Sequence, residues 1–127
     1  MLDPHPKILA IDFGSQRIGL AISFGILAEP LTIIPNDEIA VQYVCSILED
    51  YRVTKLLIGI SEGRMAEQSR EFGALLARVT KVPIEYADET LSTQTVRKKL
   101  KDAGKNPDQF VDHFAAAEIL QQWMDEQ

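Results

Sequence analysis

The 127-residue sequence has few cysteines and histidines and no long apolar run. Cys45 is the only cysteine, which excludes an internal disulfide and fits a reducing compartment. Two histidines, His5 and His113, are too few beside one cysteine to indicate a zinc site. No apolar run approaches the length of a membrane span, and the N-terminus lacks a secretory pattern. We therefore expect a cytoplasmic protein that does not associate with membranes.

Positive charge is also scarce in this sequence. Thirteen Lys and Arg residues stand against 19 Asp and Glu, which gives a net charge of −6 and a pI of about 4.8. This balance argues against nucleic-acid binding through overall charge, although a local basic patch beside an acidic, metal-loaded centre stays compatible with it. The length and the 46% hydrophobic content predict one globular domain over residues 1–127, with residues 1–6 flexible.

The chain near its start reads as two apolar strands joined by a tight turn. Lys7–Ile11 is short and apolar, Asp12 follows it, and a second apolar run begins so soon after Gly14 that it predicts a hairpin. Three interpretations of Asp12 stay open: a metal ligand in a hydrolase, a phosphate-binding turn like that of the actin and sugar-kinase superfamily, or a turn cap. The kinase-like interpretation needs two such lobes, and this chain has residues for one.

The remaining pattern predicts strands alternating with helices. The expected strands are Leu31–Ile34, Lys55–Ile60 (a central parallel strand) and Val82–Ala87. The expected helices follow a cap at Asn36 or Asp37, span Met65–Val79, follow Ser92 or Thr93, and span about Phe110–Met124. Their predicted buried positions are Ala40, Val44, Ile47, Leu48 and Tyr51 in the first, and Phe72, Leu75, Leu76 and Val79 in the second. The fold class is therefore α/β, with an antiparallel hairpin joined to parallel strands.

Acidic residues stand next to three of these elements. Asp12 and the pair Asp88-Glu89 follow strands, and Asp112 lies on the apolar stripe of the last helix. If they converge, their repulsion is relieved by a hard cation such as Mg²⁺ or Mn²⁺, and two ions would suit phosphodiester hydrolysis. Asp112 could instead only cap its helix. A basic stripe is formed by Arg97, Lys101 and Lys105. It is either a solvated helix face or a surface that faces phosphates.

The motifs together resemble the YqgF family, also called RuvX, of ribonuclease-H-like proteins. The similarity covers nearly the whole chain and rests on Ile11–Ala21, Ile58–Ile60, Asp88–Thr93, and Asp112 followed by Ala115, Ala116 and Ile119–Gln121. It implies a mixed five-stranded sheet flanked by helices, and a nuclease that matures the 5′ end of pre-16S ribosomal RNA. By position it implies Asp12, Glu89 and Asp112 as catalytic metal ligands, Asp88 as the alternate for Glu89, and Arg17 as a phosphate-binding residue.

The sequence departs from the family pattern at three places. The loop after Ile60 is short, Thr90 replaces a family arginine, and Phe110-Val111 replaces a segment that commonly carries a basic residue. Glu62 in that loop is either a further ligand or a solvent-exposed residue. Structured RNA is the expected partner and branched DNA the alternative, acted on by a monomer or weak homodimer. The other function left open is a non-catalytic nucleic-acid-binding protein on the same scaffold.

Overall fold

The computed structural model describes residues 6–60, 64–88, 102, 104 and 107–127. Within them the chain forms five strands and three helices. The strands are β1 (Ile8–Phe13), β2 (Arg17–Phe24), β3 (Leu27–Pro35), β4 (Lys55–Ile60) and β5 (Ile84–Asp88). The helices are α1 (Ala40–Asp50), α2 (Arg64–Val79) and α3 (Pro107–Asp125). The helix expected after Ser92 or Thr93 and the loop residue Glu62 lie outside the described residues. None of the described helices is long and apolar enough to cross a membrane.

The strands form one mixed sheet in the order β3-β2-β1-β4-β5. β1 pairs antiparallel with β2, and β2 pairs antiparallel with β3, which confirms the expected hairpin. β4 runs parallel to β1 on one side and to β5 on the other. The almost continuous apolar run of β4 is therefore explained, because an interior parallel strand is covered on both faces.

Successive side chains of a strand point to opposite faces of the sheet, so the protein has two cores, one on each face. One face packs against α1 and α2 through a large cluster that includes Leu9, Ile11, Leu20, Leu56, Ile58, Val44, Phe72 and Leu76. The other packs against α3 through a smaller cluster that includes Ile8, Ala10, Ala21, Leu57, Ala116, Ile119 and Leu120. Three of these seven residues are alanines, and two of the three are on the strands that α3 covers.

The structure corrects part of the predicted core. Leu75 and Val79 were expected on the buried side of α2, but they are 48% and 59% exposed. The buried positions Ser69, Phe72 and Leu76 define a narrow stripe, and at 100° per residue Leu75 points well away from its centre. Tyr51, expected in the stripe of α1, is exposed because the helix ends one residue before it.

The edge strand β3 is longer than its apolar pattern indicates. It begins at Leu27, four residues before the expected Leu31, and its first half is mostly exposed. This half was hidden from sequence analysis because Glu29 and Pro30 are unusual within a strand. On an edge strand they are tolerated, and they discourage pairing with another chain.

Candidate nuclease site

The centre of the site is a row of residues that lie side by side across four strands. Asp12 near the end of β1 pairs with Gly19 of β2 and with Gly59 of β4, and Gly59 pairs in turn with Ala87 of β5. Paired residues share one face of a sheet, and this is the face of Ala10 and Ala87, which α3 covers. Asp12 is half-buried and both of its neighbours are buried glycines. Its carboxylate is thus the only side chain longer than a methyl group among these four positions.

Arg17 lies on the same face, one step further toward the strand ends. It comes two residues before Gly19 along β2, and side chains two residues apart on a strand share a face. Because Gly19 pairs with Asp12, Arg17 lies on the face of Asp12. Its side chain is exposed at the first position of the strand. A carboxylate and a guanidinium therefore open toward solvent at the same edge, where a phosphate could contact the cation.

A three-residue hairpin turn (residues 14–16) connects the strands that carry these two side chains. The Gly14 N–H donates to the Arg17 carbonyl at 2.9 Å and closes the turn. Only glycine fits here, because a Cβ on Gly14 would stand 2.5 Å from that carbonyl oxygen. Asn36, just beyond β3, donates from Nδ2 to the Gly14 carbonyl at 2.7 Å, and its own N–H donates to the Gln16 carbonyl at 2.9 Å.

Contacts at the C-terminal end of α3 establish the direction in which this helix crosses the sheet. Trp123 Nε1 donates to the Glu85 carboxylate, and Gln121 accepts from the Ala28 N–H at 2.9 Å while donating to the Ile26 carbonyl at 3.0 Å. These partners lie on the side of the sheet where β1 begins. The N-terminal half of α3 consequently extends toward the edge where β1 ends.

Position 112 belongs to this N-terminal half. Along the helix axis it lies about 10 Å before Ile119, a residue that packs near Ala87. It also lies on the same face of the helix as Ala115, Ala116 and Ile119. That face is the sheet-facing one, since Ala115 and Ala116 are fully buried. The backbone therefore brings position 112 toward the edge of Asp12. Its side chain lies outside the part of α3 whose side chains are described.

Asp88 occupies a less favourable position in the register. It ends β5 opposite Ile60, one step beyond Ala87, so alternation assigns it to the face opposite Asp12. As the last residue of an edge strand it also borders a cavity of about 270 Å³ between β5 and α3, together with Ile119 and Trp123. Asp88 as a metal ligand stays a prediction.

Four of the predicted site residues, Glu89, Arg97, Lys101 and Lys105, lie outside the described residues. Among the side chains that the structure does describe, no three carboxylate, imidazole or thiol groups gather closely enough to hold a metal ion. Cys45 on α1 is partly buried, and burial, with a smaller contribution from the Glu49 carboxylate, raises the pKa of its thiol. The raised pKa indicates a structural thiol, because a nucleophilic cysteine needs a lowered pKa.

Sequence reasoning missed two features of this site. Asn36 or Asp37 was expected to cap α1, but Ile39 occupies the cap position and no side chain caps the helix. The Asp37 Oδ1 instead accepts from the Ile39 N–H at 3.1 Å, just before α1 begins. The pairing of Gly19 and Gly59 with Asp12 was also missed. Two glycines inside buried strands are the available signal, since glycine there often marks a close approach by another group.

Comparison with known proteins decides the family. The family described as "RuvX: Holliday junction resolvase" matches residues 6–126. The chain belongs to this family. Similar relatives, each named "Putative pre-16S rRNA nuclease", include those of Synechococcus elongatus (34% identical, covering 98% of this chain and 92% of the relative) and Anaeromyxobacter (35%, 94% and 96%).

Solved structures similar to this RuvX-family chain confirm the expected ribonuclease-H-like fold. Thermus thermophilus RuvC, solved with a Holliday junction substrate, is 14% identical, with a TM-score of 0.63 over 96% of this chain and 95% of RuvC. Fowlpox virus resolvase, solved with Holliday junction DNA, is also 14% identical, with a TM-score of 0.58 over 94% and 97% of the two chains. At this level of identity the similarity concerns the fold alone.

Proposed function

We propose that this chain is a single-domain, metal-dependent nuclease that hydrolyses phosphodiester bonds in structured nucleic acid. The observation that carries the proposal is the row in which half-buried Asp12 lies between Gly19 and Gly59, on the face covered by α3. Membership of the RuvX family supports the same chemistry. The two glycines that pair with Asp12 add no side chain of their own, which favours the approach of a cation to its carboxylate.

The chemistry of the three proposed ligands fits a hard divalent cation such as Mg²⁺ or Mn²⁺. Asp12 would hold it together with Glu89 and Asp112, all of which supply carboxylate oxygens. We favour Glu89 over Asp88 because the register assigns Asp88 to the opposite face. When bound, a pair of such ions activates water and stabilises the leaving oxygen of a phosphodiester.

Among the residues that the structure describes, Arg17 carries a positive charge that is suited to orient the substrate. It shares a face with Asp12 and is exposed, so its guanidinium can donate two hydrogen bonds to a backbone phosphate. We propose that Arg97, Lys101 and Lys105 extend this contact along the nucleic acid. Because the net charge is −6, binding depends on these local cations and should weaken steeply with added salt.

The substrate that we propose is the 5′ end of pre-16S ribosomal RNA. The names of relatives at 34% and 35% identity, which nearly the whole chain matches, support it. A four-way DNA junction is the second candidate, because both structural neighbours were solved with one. A cleavage assay that offers both substrates with Mg²⁺ or Mn²⁺ distinguishes the two candidates directly.

Replacement of Asp12 by Asn tests the centre itself. Asp12→Asn keeps the shape of the side chain but removes its charge, so we expect cleavage to fall at least about a hundredfold while the fold is retained. The matched control is Asp50→Asn, because Asp50 ends α1 on the opposite side of the sheet and is exposed. Unchanged cleavage by Asp12→Asn would rule out the proposed centre.

Metal titration separates the nuclease from a non-catalytic binding protein. We expect calorimetry to detect Mn²⁺ binding in the wild type and in Asp50→Asn, with much weaker binding in Asp12→Asn. A protein that binds the RNA or the junction but takes up no Mn²⁺ at millimolar concentration, and cleaves neither substrate, would be a non-catalytic binding protein instead.

A further inference from the structure

Asn36 connects the end of β3 to the hairpin turn beside Asp12. Its side-chain amide donates to the Gly14 carbonyl at 2.7 Å and makes a longer contact of 3.4 Å with the Ser15 carbonyl. Its backbone N–H donates to the Gln16 carbonyl at 2.9 Å. One half-buried residue, just beyond the end of β3, therefore contacts the carbonyl of every residue in the turn.

The turn joins the two paired strands that carry the key side chains, at the end of the ladder where both side chains lie. Asp12 comes two residues before Gly14, Arg17 directly follows Gln16, and both share one face of the sheet. Within the turn itself, the hydrogen bond from Gly14 to the Arg17 carbonyl is the backbone contact that closes it. A change in the turn would thus move the carboxylate and the guanidinium apart or together.

We propose that Asn36 is a positioning residue that fixes the relative placement of Asp12 and Arg17. It acts through the backbone of the turn and does not touch the substrate. The catalytic consequence rests on the proposed nuclease function, because only then does this placement align a metal ligand with a phosphate-binding cation. Misplacement of reacting groups by about 1 Å can cost about a hundredfold in rate.

The chemistry of the contact requires an amide at this position. The Asn36 Nδ2 donates to carbonyl oxygens, whereas an aspartate would place a negative charge against them and offer no donor. The adjacent Asp37 does the reverse, since its carboxylate accepts the Ile39 N–H before α1. The two neighbours therefore have separate tasks, which makes Asp37 a matched control.

The experiment compares Asn36→Asp and Asn36→Ala with Asp37→Ala in the full chain. The first two remove the donor with and without an added charge, and Asp37→Ala removes a side-chain hydrogen bond to Ile39 at the same chain segment without touching the turn. Cleavage kinetics with Mn²⁺, thermal unfolding and amide hydrogen exchange of residues 14–17 by NMR are measured for each. The exchange measurement needs no activity and reports the turn directly.

We expect both Asn36 variants to exchange the Gly14 amide at least about tenfold faster and to lose about tenfold or more in kcat, with KM within about twofold. Asp37→Ala should leave exchange in the turn and kcat at wild-type values, because the Asp37 carboxylate contacts only the Ile39 N–H. Wild-type exchange in both Asn36 variants would overturn the proposal, whatever their activity. If the wild type cleaves no substrate but exchange rises only in the Asn36 variants, the positioning assignment stands and the nuclease proposal fails.

Discussion

Replacement of Gly14 by Ala is the sharpest test of how strongly the hairpin turn constrains the site. The added Cβ would stand 2.5 Å from the Arg17 carbonyl oxygen and 3.6 Å from its carbon. The group that it meets is backbone and cannot rotate away like a side chain. The turn must therefore open, and the Gly14 N–H bond to Arg17 and the Asn36 bond to the Gly14 carbonyl weaken together.

The size of the effect follows from these contacts. Two hydrogen bonds are weakened, each contributing about 1 kcal/mol to the free energy of unfolding. Alanine restricts the unfolded chain more than glycine does, which returns about 0.5 kcal/mol. The net loss is about 1 to 2 kcal/mol, or roughly 4 to 8 °C in melting temperature for a domain of this size.

Gly73→Ala provides the matched control for this substitution. A Cβ there would meet the hydroxyl of Tyr86, which is the far end of a side chain that is 41% exposed, and would stand 3.1 Å from Cδ1 of buried Ile58. Tyr86 can swing toward solvent, and alanine favours the interior of α2 by about 1 kcal/mol over glycine, which offsets the small shift required of Ile58. We expect Gly73→Ala to lose less stability than Gly14→Ala and to keep wild-type cleavage.

Thermal unfolding and cleavage kinetics of the two variants test whether the hairpin turn constrains the site. We expect Gly14→Ala to lose activity well below its melting temperature, because the turn that joins Asp12 to Arg17 has moved. A Gly14→Ala protein with wild-type melting temperature and kcat would refute the reasoning. An equal loss of activity in Gly73→Ala would show that the site tolerates no small change anywhere, so that the turn has no special role.

Three further changes have measurable outcomes. Gln121→Ala should lower the free energy of unfolding by about 2 kcal/mol in denaturant titrations, because it leaves the partly buried Ala28 N–H without its acceptor. Arg52→Gly should raise the free energy of unfolding by about 0.5 to 1 kcal/mol, since Arg52 has a φ of 54° that glycine adopts without strain. The raised pKa keeps the Cys45 thiol protonated to higher pH in the folded than in the unfolded chain. Its contribution to stability is therefore lost as the pH rises above the unfolded pKa, and iodoacetamide should label native protein more slowly than denatured protein. A Gln121→Ala or Arg52→Gly protein with unchanged stability, or equal labelling of both states, would contradict the respective expectation.

Much of the fold is encoded in local patterns. Lys55–Ile60 matches β4 residue for residue, because an interior parallel strand must be apolar on both faces and few other elements look like it. The hairpin follows from the short separation of two apolar runs, which leaves no room for a crossover. The stripe of α3 around Ile119 is likewise local, since helical periodicity is set by the backbone alone.

Features that depend on a partner elsewhere in the chain were harder to predict from the sequence. Asn36 and Asp37 are equally good cap residues by type, and only the folded position of the hairpin turn separates their roles. Leu75 is apolar and lies in a helix, yet it is exposed because the sheet offers α2 only a narrow surface. Which apolar residues are buried is thus decided by the shape of the neighbouring element.

Residue type and short-range spacing were enough to predict the order of the described strands and helices, the family, and the acidic residues that the nuclease proposal uses. Only the tertiary structure decided that Asp12 lies between Gly19 and Gly59, that Arg17 shares its face, and that Asn36 contacts their turn. These relations depend on strand register, and a shift of one residue would move Asp12 to the other face. Register is established by the packing of the whole sheet against its helices, so it is not contained in any single stretch of the chain.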